Sequence, residues 1–552
     1  MKRSFSGWWA AMALLAVMIP AAPAAAQEPQ APSVFGEQID VRVVNVEAVV
    51  TDRQGNRVQG LKPEDFRLKV DGKVVPVEYF NEVRGGQAIA LEGGDEGAVK
   101  GLPSLAPGSP VGTSYLVFVD NFFSIITRRN EVLKSLKEQI SRLGPEDRMA
   151  IVVYDGGGVE MLSSWSNSSR QLEKAIDEAI RRPAQGLARR AELQSFESLR
   201  RIGGDPVSRG PRASFAQRLD VEEEEFVYFV AGQIERASMA ATSTLRGFAS
   251  PPGRKVMLLL SGGWPFSPAD YVVNNPNRPV LMRDLPQGED LLRPLVDTAN
   301  RLGYTIYSVD VPGMEDVVVD AGRQGPPTTG INIREQENQA ALQFIAGQTG
   351  GEALLNARSA DLLEVAERDT RSYYWLGFTP TWEGNDKRHK VQVELTRPGL
   401  KVRSRESFLD LSRKAETAMM VESAMIFGGA PDQATMPMKI GQAVAVGRRE
   451  MEVPVSLAIP SDAVTLVPLN GKQVAEVELR VVAMDARGGR APMPVVPVTL
   501  SADEAPKPGT FIRYDTKIRL RRMPHTLTVA IFDPLGGKLL IAKADVKPPA
   551  TK

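Results

Sequence analysis

Cysteine is absent from all 552 residues, and histidine occurs twice, at His389 and His525. The first absence excludes disulfides and lipid attachment at a cysteine, so packed cores must hold the chain together. The second leaves no material for a zinc site of the usual His/Cys kind. An excess of either charge is also missing: Lys plus Arg and Asp plus Glu each number 67. That balance gives no electrostatic argument for nucleic acid or an anionic membrane as a partner. Neither a G-x-S-x-G elbow nor a phosphate loop occurs, since Gly536-Gly537-Lys538 lacks the earlier glycine. No apolar run reaches the roughly 20 residues that a membrane span needs. The apolar run at the start, Trp8 to Ile19, follows Lys2 and Arg3 and precedes Ala22-Pro23-Ala24-Ala25-Ala26. This is the layout of a signal peptide over residues 1–26, cleaved after Ala26. Export to the periplasm or the exterior is therefore expected, with no membrane span after cleavage.

What is present is an ordinary globular composition, 43% apolar and 24% charged. The length implies roughly three or four domains. After a Pro-containing lead-in from Gln27 to Gly36, the alternations Val41-Val43, Val46-Ala48-Val50 and Phe66-Leu68-Val70 have the period of strands. Asp71-Gly72 is a two-residue hairpin turn. Together they predict a β module over residues 37–85, too small to bury a core alone. Residues 86–113, rich in Gly, Pro and Ala, read as a linker.

From 114 to 380 strands and helices alternate, which predicts a doubly wound α/β domain. Its strands are expected at Tyr115–Val119, Met149–Tyr154, Val256–Leu260 and Thr305–Val309, with Tyr373–Phe378 closing the sheet. Helices are expected over Asn130–Leu143, after a capping box of Ser168 and Gln171, and over Ala216–Phe248. Pro183 to Arg218 reads as an irregular surface insertion. Residues 382–410 return to β and are expected to complete the N-terminal module around the α/β domain. A helical connector over 411–427 leads to turn-punctuated strands over 430–552, an immunoglobulin-like sandwich.

The phrases YLVFVD, RKVMLLLSGG, TIYSVDVPG, IAGQTGGEALL and SYYWLGFTP, in this order, resemble a von Willebrand factor A domain. DRQGNRVQGLKPEDFRLKVDGK before it and HKVQVELTRPGLKVRSRESF after it resemble the flanking segments of bacterial secreted VWFA-related proteins. The resemblance spans about residues 38 to 410 and implies a Rossmann-type α/β domain. Such domains often hold Mg²⁺ at a metal-ion-dependent adhesion site, with a D-x-S-x-S loop, a threonine from a second loop and an aspartate after the central strand. Mg²⁺ wants six oxygens in a near-octahedral set. Carried over residue by residue, Asp120 and Ser124 match, Phe122 replaces the first serine and Gly262 stands at the aspartate position. The threonine loop falls in Pro183 to Arg218, where no counterpart can be placed.

The strand-end loops are therefore expected to form a binding face of Asp120, Asn121, Phe122, Phe123, Ser124 and Ser261, with no cofactor. If Mg²⁺ is bound, its expected ligands are Asp120, Ser124, Asp155 and Asp310. Plainer roles are available: Asp120 and Ser124 capping the next helix, Phe122 and Phe123 in the core, and Glu222 to Glu225 favoured by a helix dipole. The arginines Arg181, Arg182, Arg189, Arg190, Arg200 and Arg201 belong to a solvated loop or grip an acidic partner. The function expected is that of an exported, non-enzymatic protein-interaction or scaffold protein. Its partner would be another protein rather than nucleic acid. The alternatives are cation-dependent adhesion, and a hydrolase using Asp120, Asp155 or Asp310 as acid or base.

Overall fold

The computed structural model describes residues 43–89, 108–202, 221–248, 253–273, 287–311, 333–355, 362–412 and, apart from isolated positions, 434–485 and 495–549. The expected signal peptide and nearly all of the helical connector lie outside these residues. The described chain is multidomain and built on several sheets.

The first alternating runs fold as β1 (Val44–Thr51), β2 (Phe66–Val70), β3 (Lys73–Val75), β4 (Tyr79–Arg84) and β5 (Gln87–Ile89). Asp71 and Gly72 turn β2 into β3 with positive φ at both residues, 50° and 79°, the geometry that a two-residue hairpin requires. Strand β5 falls within the expected linker, whose middle lies outside the described residues.

An α/β unit follows: β6 (Thr113–Asp120), α1 (Ile126–Glu138), β7 (Arg148–Tyr154), β8 (Val159–Ser166), α2 (Ser169–Arg181), α3 (Gly186–Ile202) and α4 (Val221–Gly247). It continues through β9 (Arg254–Ser261), α5 (Pro268–Val273), α6 (Gly288–Leu302), β10 (Tyr304–Asp310), α7 (Ile333–Gln348), β11 (Ala353–Leu354) and α8 (Leu362–Thr370). The sheet order is β11-β10-β9-β6-β7-β8, parallel except for the antiparallel edge β8. Successive strand residues point to opposite faces. Leu116, Phe118, Met257 and Ile306 pack with Ile234, Leu295 and Ile345 of α4, α6 and α7. Val117, Val119, Leu258 and Val309 pack with Leu133, Ile176 and Ala366 of α1, α2 and α8. Both faces are thus covered, which explains why the strands are apolar throughout.

Three local expectations change. Ser168 precedes α2 but its side chain makes no capping hydrogen bond; instead Ser166 Oγ donates to Gln171 Oε1 over 2.9 Å. The first helix begins at Ile126, earlier than Asn130. Most consequentially, β12 (Ser372–Phe378) does not close the α/β sheet. It pairs antiparallel with β1 on one side and β4 on the other. Tyr374, Leu376 and Phe378 enter the β module's core, while Tyr373 and Trp375 are buried on the opposite face. A strand buried on both sides looks alike in either sheet, so its apolar run could not name its neighbours.

Strands β13 (Lys387–Leu395), β14 (Lys401–Ser404) and β15 (Ser407–Asp410) follow. The N-terminal module is then two sheets, β14-β1-β12-β4-β5 and β15-β13-β2-β3. A buried ionic cluster joins it to the α/β unit. Asp369 on α8 is fully buried and accepts from Arg57, Arg403 and the Tyr307 hydroxyl. Glu47 on β1 pairs with the buried Arg254 at 3.1 Å.

The C-terminal part comprises β16 (Ala434–Thr435), β17 (Met438–Ile440), β18 (Val444–Val446), β19 (Glu450–Pro460), β20 (Val467–Leu469), β21 (Lys472–Asp485), β22 (Val495–Ala502), β23 (Phe511–Arg521), β24 (His525–Asp533) and β25 (Lys538–Val546). One sheet centres on β21 and β24, the other on β19, and both contribute to a single core.

Candidate functional site

Parallel strands deliver their last residues to one edge, where open α/β sheets take ligands. Here Asp120 ends β6 level with Tyr154 of β7, and Ser261 ends β9 level with Asp310 of β10. Asp120 is fully buried. Its Oδ1 accepts the backbone N–H of Phe122 at 2.9 Å and of Phe123 at 3.1 Å. Its Oδ2 accepts the Ser261 hydroxyl at 2.7 Å and the indole Nε1–H of Trp264 at 2.8 Å. Burial drives the Asp120 pKa above the ordinary carboxylate range, against the opposing pull of these four donors. Both carboxylate oxygens are therefore engaged by protein donors.

The expected binding face is not a face. Asp120, Asn121, Ser124 and Ser261 are 0% exposed, Phe122 7% and Phe123 4%. Phe122 and Phe123 meet edge to face at 5.0 Å and belong to the core beneath α4 to α7. The physical reason is the turn that Asp120 caps: it folds both rings back under the strand end. Asn121 donates its N–H to the Tyr154 carbonyl, and its side-chain oxygen accepts Arg129 Nη1 at 2.6 Å. Burial lowers the Arg129 pKa to about 10. Ser124 does not cap α1; its hydroxyl has no hydrogen-bond partner among the described residues.

A helix covers these loops. Within Pro183 to Arg218, expected to be irregular, α3 occupies Gly186–Ile202; residues 203–220 lie outside those described. Gln185 and Gly186 donate their N–H groups to the carbonyls of Asn121 and Ser124. A Cβ on Gly186 would stand 2.5 Å from the Ser124 oxygen, so only glycine permits this approach. Arg189 lies over the Phe122 ring at 4.4 Å. Leu193 is buried, and Phe196 stacks on Phe226 of α4 at 4.3 Å. Arg182 instead pairs with Glu160 and Glu178.

The other expected cation ligands follow or end the neighbouring strands. Asp155 is exposed, and its Oδ1 accepts the N–H groups of Gly157 and Gly158 at 2.9 Å in a local turn. Asp310 is buried at the end of β10. Gly262 is buried and supplies no carboxylate. Among the described residues no group of three or more His, Cys, Asp or Glu is placed to hold a metal ion. Trp264, Arg129 and Gln185 are the partners that sequence reasoning missed. A tryptophan just after a strand-ending Ser-Gly-Gly was the one available signal for the first.

No family model matches the chain, and no curated protein matches it. Among solved structures it is similar to the pilus adhesin SpaC from Lactobacillus rhamnosus GG, at 8% identity and TM-score 0.27, over 78% of this chain and 56% of that one. It thus spans about half the length of SpaC. The PilB minor pilin from Streptococcus sanguinis aligns at 9% identity and TM-score 0.25, over 59% of this chain and 86% of that one. The tip protein Mfa5 of type V pili from Porphyromonas gingivalis aligns at 11% identity and TM-score 0.21, over 89% and 79%. Likenesses at these TM-scores carry nothing about function. Among the described residues, no helix is long and apolar enough to cross a membrane.

Proposed function

We propose that this chain is an exported, non-enzymatic protein-binding or scaffold protein. In this proposal its α/β unit is von Willebrand A-like, and a hydrogen-bonded plug has replaced the metal-ion-dependent adhesion site. One observation carries the reading: both oxygens of Asp120 are taken by Phe122, Phe123, Ser261 and Trp264. A divalent cation there would have to displace donors in a site walled by Phe122, with no second carboxylate at Gly262. The same burial leaves Asp120 out of reach of a substrate, which argues against its use as acid or base. Recognition would then rest on outer surfaces of the domains.

The test is calorimetric titration of the full chain with Mg²⁺, Mn²⁺ and Ca²⁺, alongside capture of an envelope partner with and without chelator. Heat of binding at millimolar cation that disappears in Asp120→Ala would establish cation-dependent adhesion instead. Turnover of a peptide, ester or glycoside that disappears in the same variant would establish a hydrolase.

A further inference from the structure

The C-terminal sandwich has a long strand paired on one side. Strand β23 runs 11 residues in unbroken antiparallel register with β19, from Glu450↔Arg521 to Pro460↔Phe511. Among the described residues β19 is its only strand partner. It contains no proline or bulge, two of the devices by which proteins blunt an edge.

Its two rows of side chains differ. Ile512, Tyr514, Ile518 and Leu520 pack toward the sandwich core but stay only partly covered. The matching row on β19, Met451, Val453, Val455, Leu457 and Ile459, is at most 1% exposed. The core is therefore closed over β19 and left half-open over β23. The other row is exposed and, after Phe511 at its start, mostly basic: Arg513, Asp515, Lys517, Arg519 and Arg521. Glu450 and Glu452 flank it from the β19 side, with Lys517 2.8 Å from Glu452.

We propose that the open edge of β23 is a docking site for an extended segment of another protein, added as a further strand and alternating acidic with apolar residues. Main-chain hydrogen bonds to the unpaired groups of β23 would supply affinity, and the alternate side chains selectivity. The apolar row of the incoming strand covers Ile512, Tyr514, Ile518 and Leu520. Its acidic row lies opposite Arg513, Lys517, Arg519 and Arg521, where opposite charges on neighbouring strands attract. A second copy of this chain is a poor occupant, because two β23 strands side by side set four basic residues and one acidic against the same row. The proposal goes beyond the preceding reading: it involves no residue of the plug at Asp120 and stands or falls separately from it.

The test uses the full chain and a labelled peptide of alternating Glu and Val, with alternating Lys and Val as its counterpart. Binding is read by fluorescence anisotropy, and its place by hydrogen exchange of the β23 amides. Lys517→Glu combined with Arg519→Glu changes only the exposed row, and an unaltered thermal midpoint shows that the fold is kept. The expected result is binding of the Glu peptide alone, slowed exchange in β23, and affinity about tenfold weaker in the double variant. Unchanged β23 exchange at saturating peptide would overturn the proposal. So would equal binding of the Lys peptide, which would mark the edge as merely sticky, or undiminished binding by the double variant. No binding of either peptide would mark the basic row as a guard against strand pairing and would equally end it.

Discussion

Trp264 donates its indole N–H to Oδ2 of Asp120 over 2.8 Å, and both side chains are fully buried. An indole thus holds one oxygen of a buried carboxylate at the end of a central strand. The contact makes the strand-end site a structural element with measurable energetics.

Trp264→Phe keeps the apolar bulk and deletes the donor. Loss of a hydrogen bond to a charged group costs about 1.5–3 kcal/mol. The folded pKa of Asp120 lies above its ordinary value because of burial. Its contribution is therefore complete below the unfolded pKa and is lost as pH rises through the folded one. Removing a donor raises the folded pKa further, so the deficit of Trp264→Phe should be small in acid and grow toward neutrality. Urea midpoints across that range check it, and a pH-independent deficit would refute the ionised contact.

Divalent cations should leave the thermal midpoint unchanged. A site saturated a hundredfold over its Kd would add about 2.7 kcal/mol of stability, well within reach of a melting experiment in millimolar Mg²⁺.

Gly263 has φ of +93°, and a Cβ there would stand 2.5 Å from the Cβ of Asn338 on α7. Gly55 has a similar φ of +88° with nothing within 4 Å. Gly55→Ala should cost about 1 kcal/mol from backbone strain alone. Gly263→Ala should cost more, about 2–3 kcal/mol, because helix and turn must also move apart. Equal losses by chemical denaturation would show that the contact yields without cost.

Asp369→Asn removes the buried charge shared by Arg57 and Arg403. Arg57 and Arg403 both reach solvent and Arg403 keeps Glu352 as a partner, so the loss is that of charge-assisted hydrogen bonds, about 1.5–3 kcal/mol. The loss should appear as faster hydrogen exchange in both β14 and α8, since the cluster ties the β module to the α/β unit.

Arg189→Ala should loosen only the cover. Loss of its cation–π contact with Phe122 costs about 0.5–2 kcal/mol. Amides of α3 should exchange faster while those of β6 and β9 do not.

Much of the fold was legible because periodicity reports burial. The apolar run before Asp120 announced a strand covered on both faces, and Asp71-Gly72 announced its hairpin. The site was legible only in position. Asp120 could be placed at a strand end, but Phe122 and Phe123 offered no sign of whether they pointed outward or under the sheet. The helix α3 was masked by the Gly, Pro and Arg residues around it, and its starting glycine is there for a close approach rather than for flexibility.

By itself the sequence determined most of the strands and helices, though not α3, and that no thiol is available. These are local properties, set by side-chain type and spacing. Tertiary structure alone decided that Ser372–Phe378 joins the β module and that Asp120 is held by Ser261 and Trp264, 141 and 144 positions away. A period tells a residue which face it lies on, whereas its partner depends on how the chain returns, and only the assembled fold contains that information.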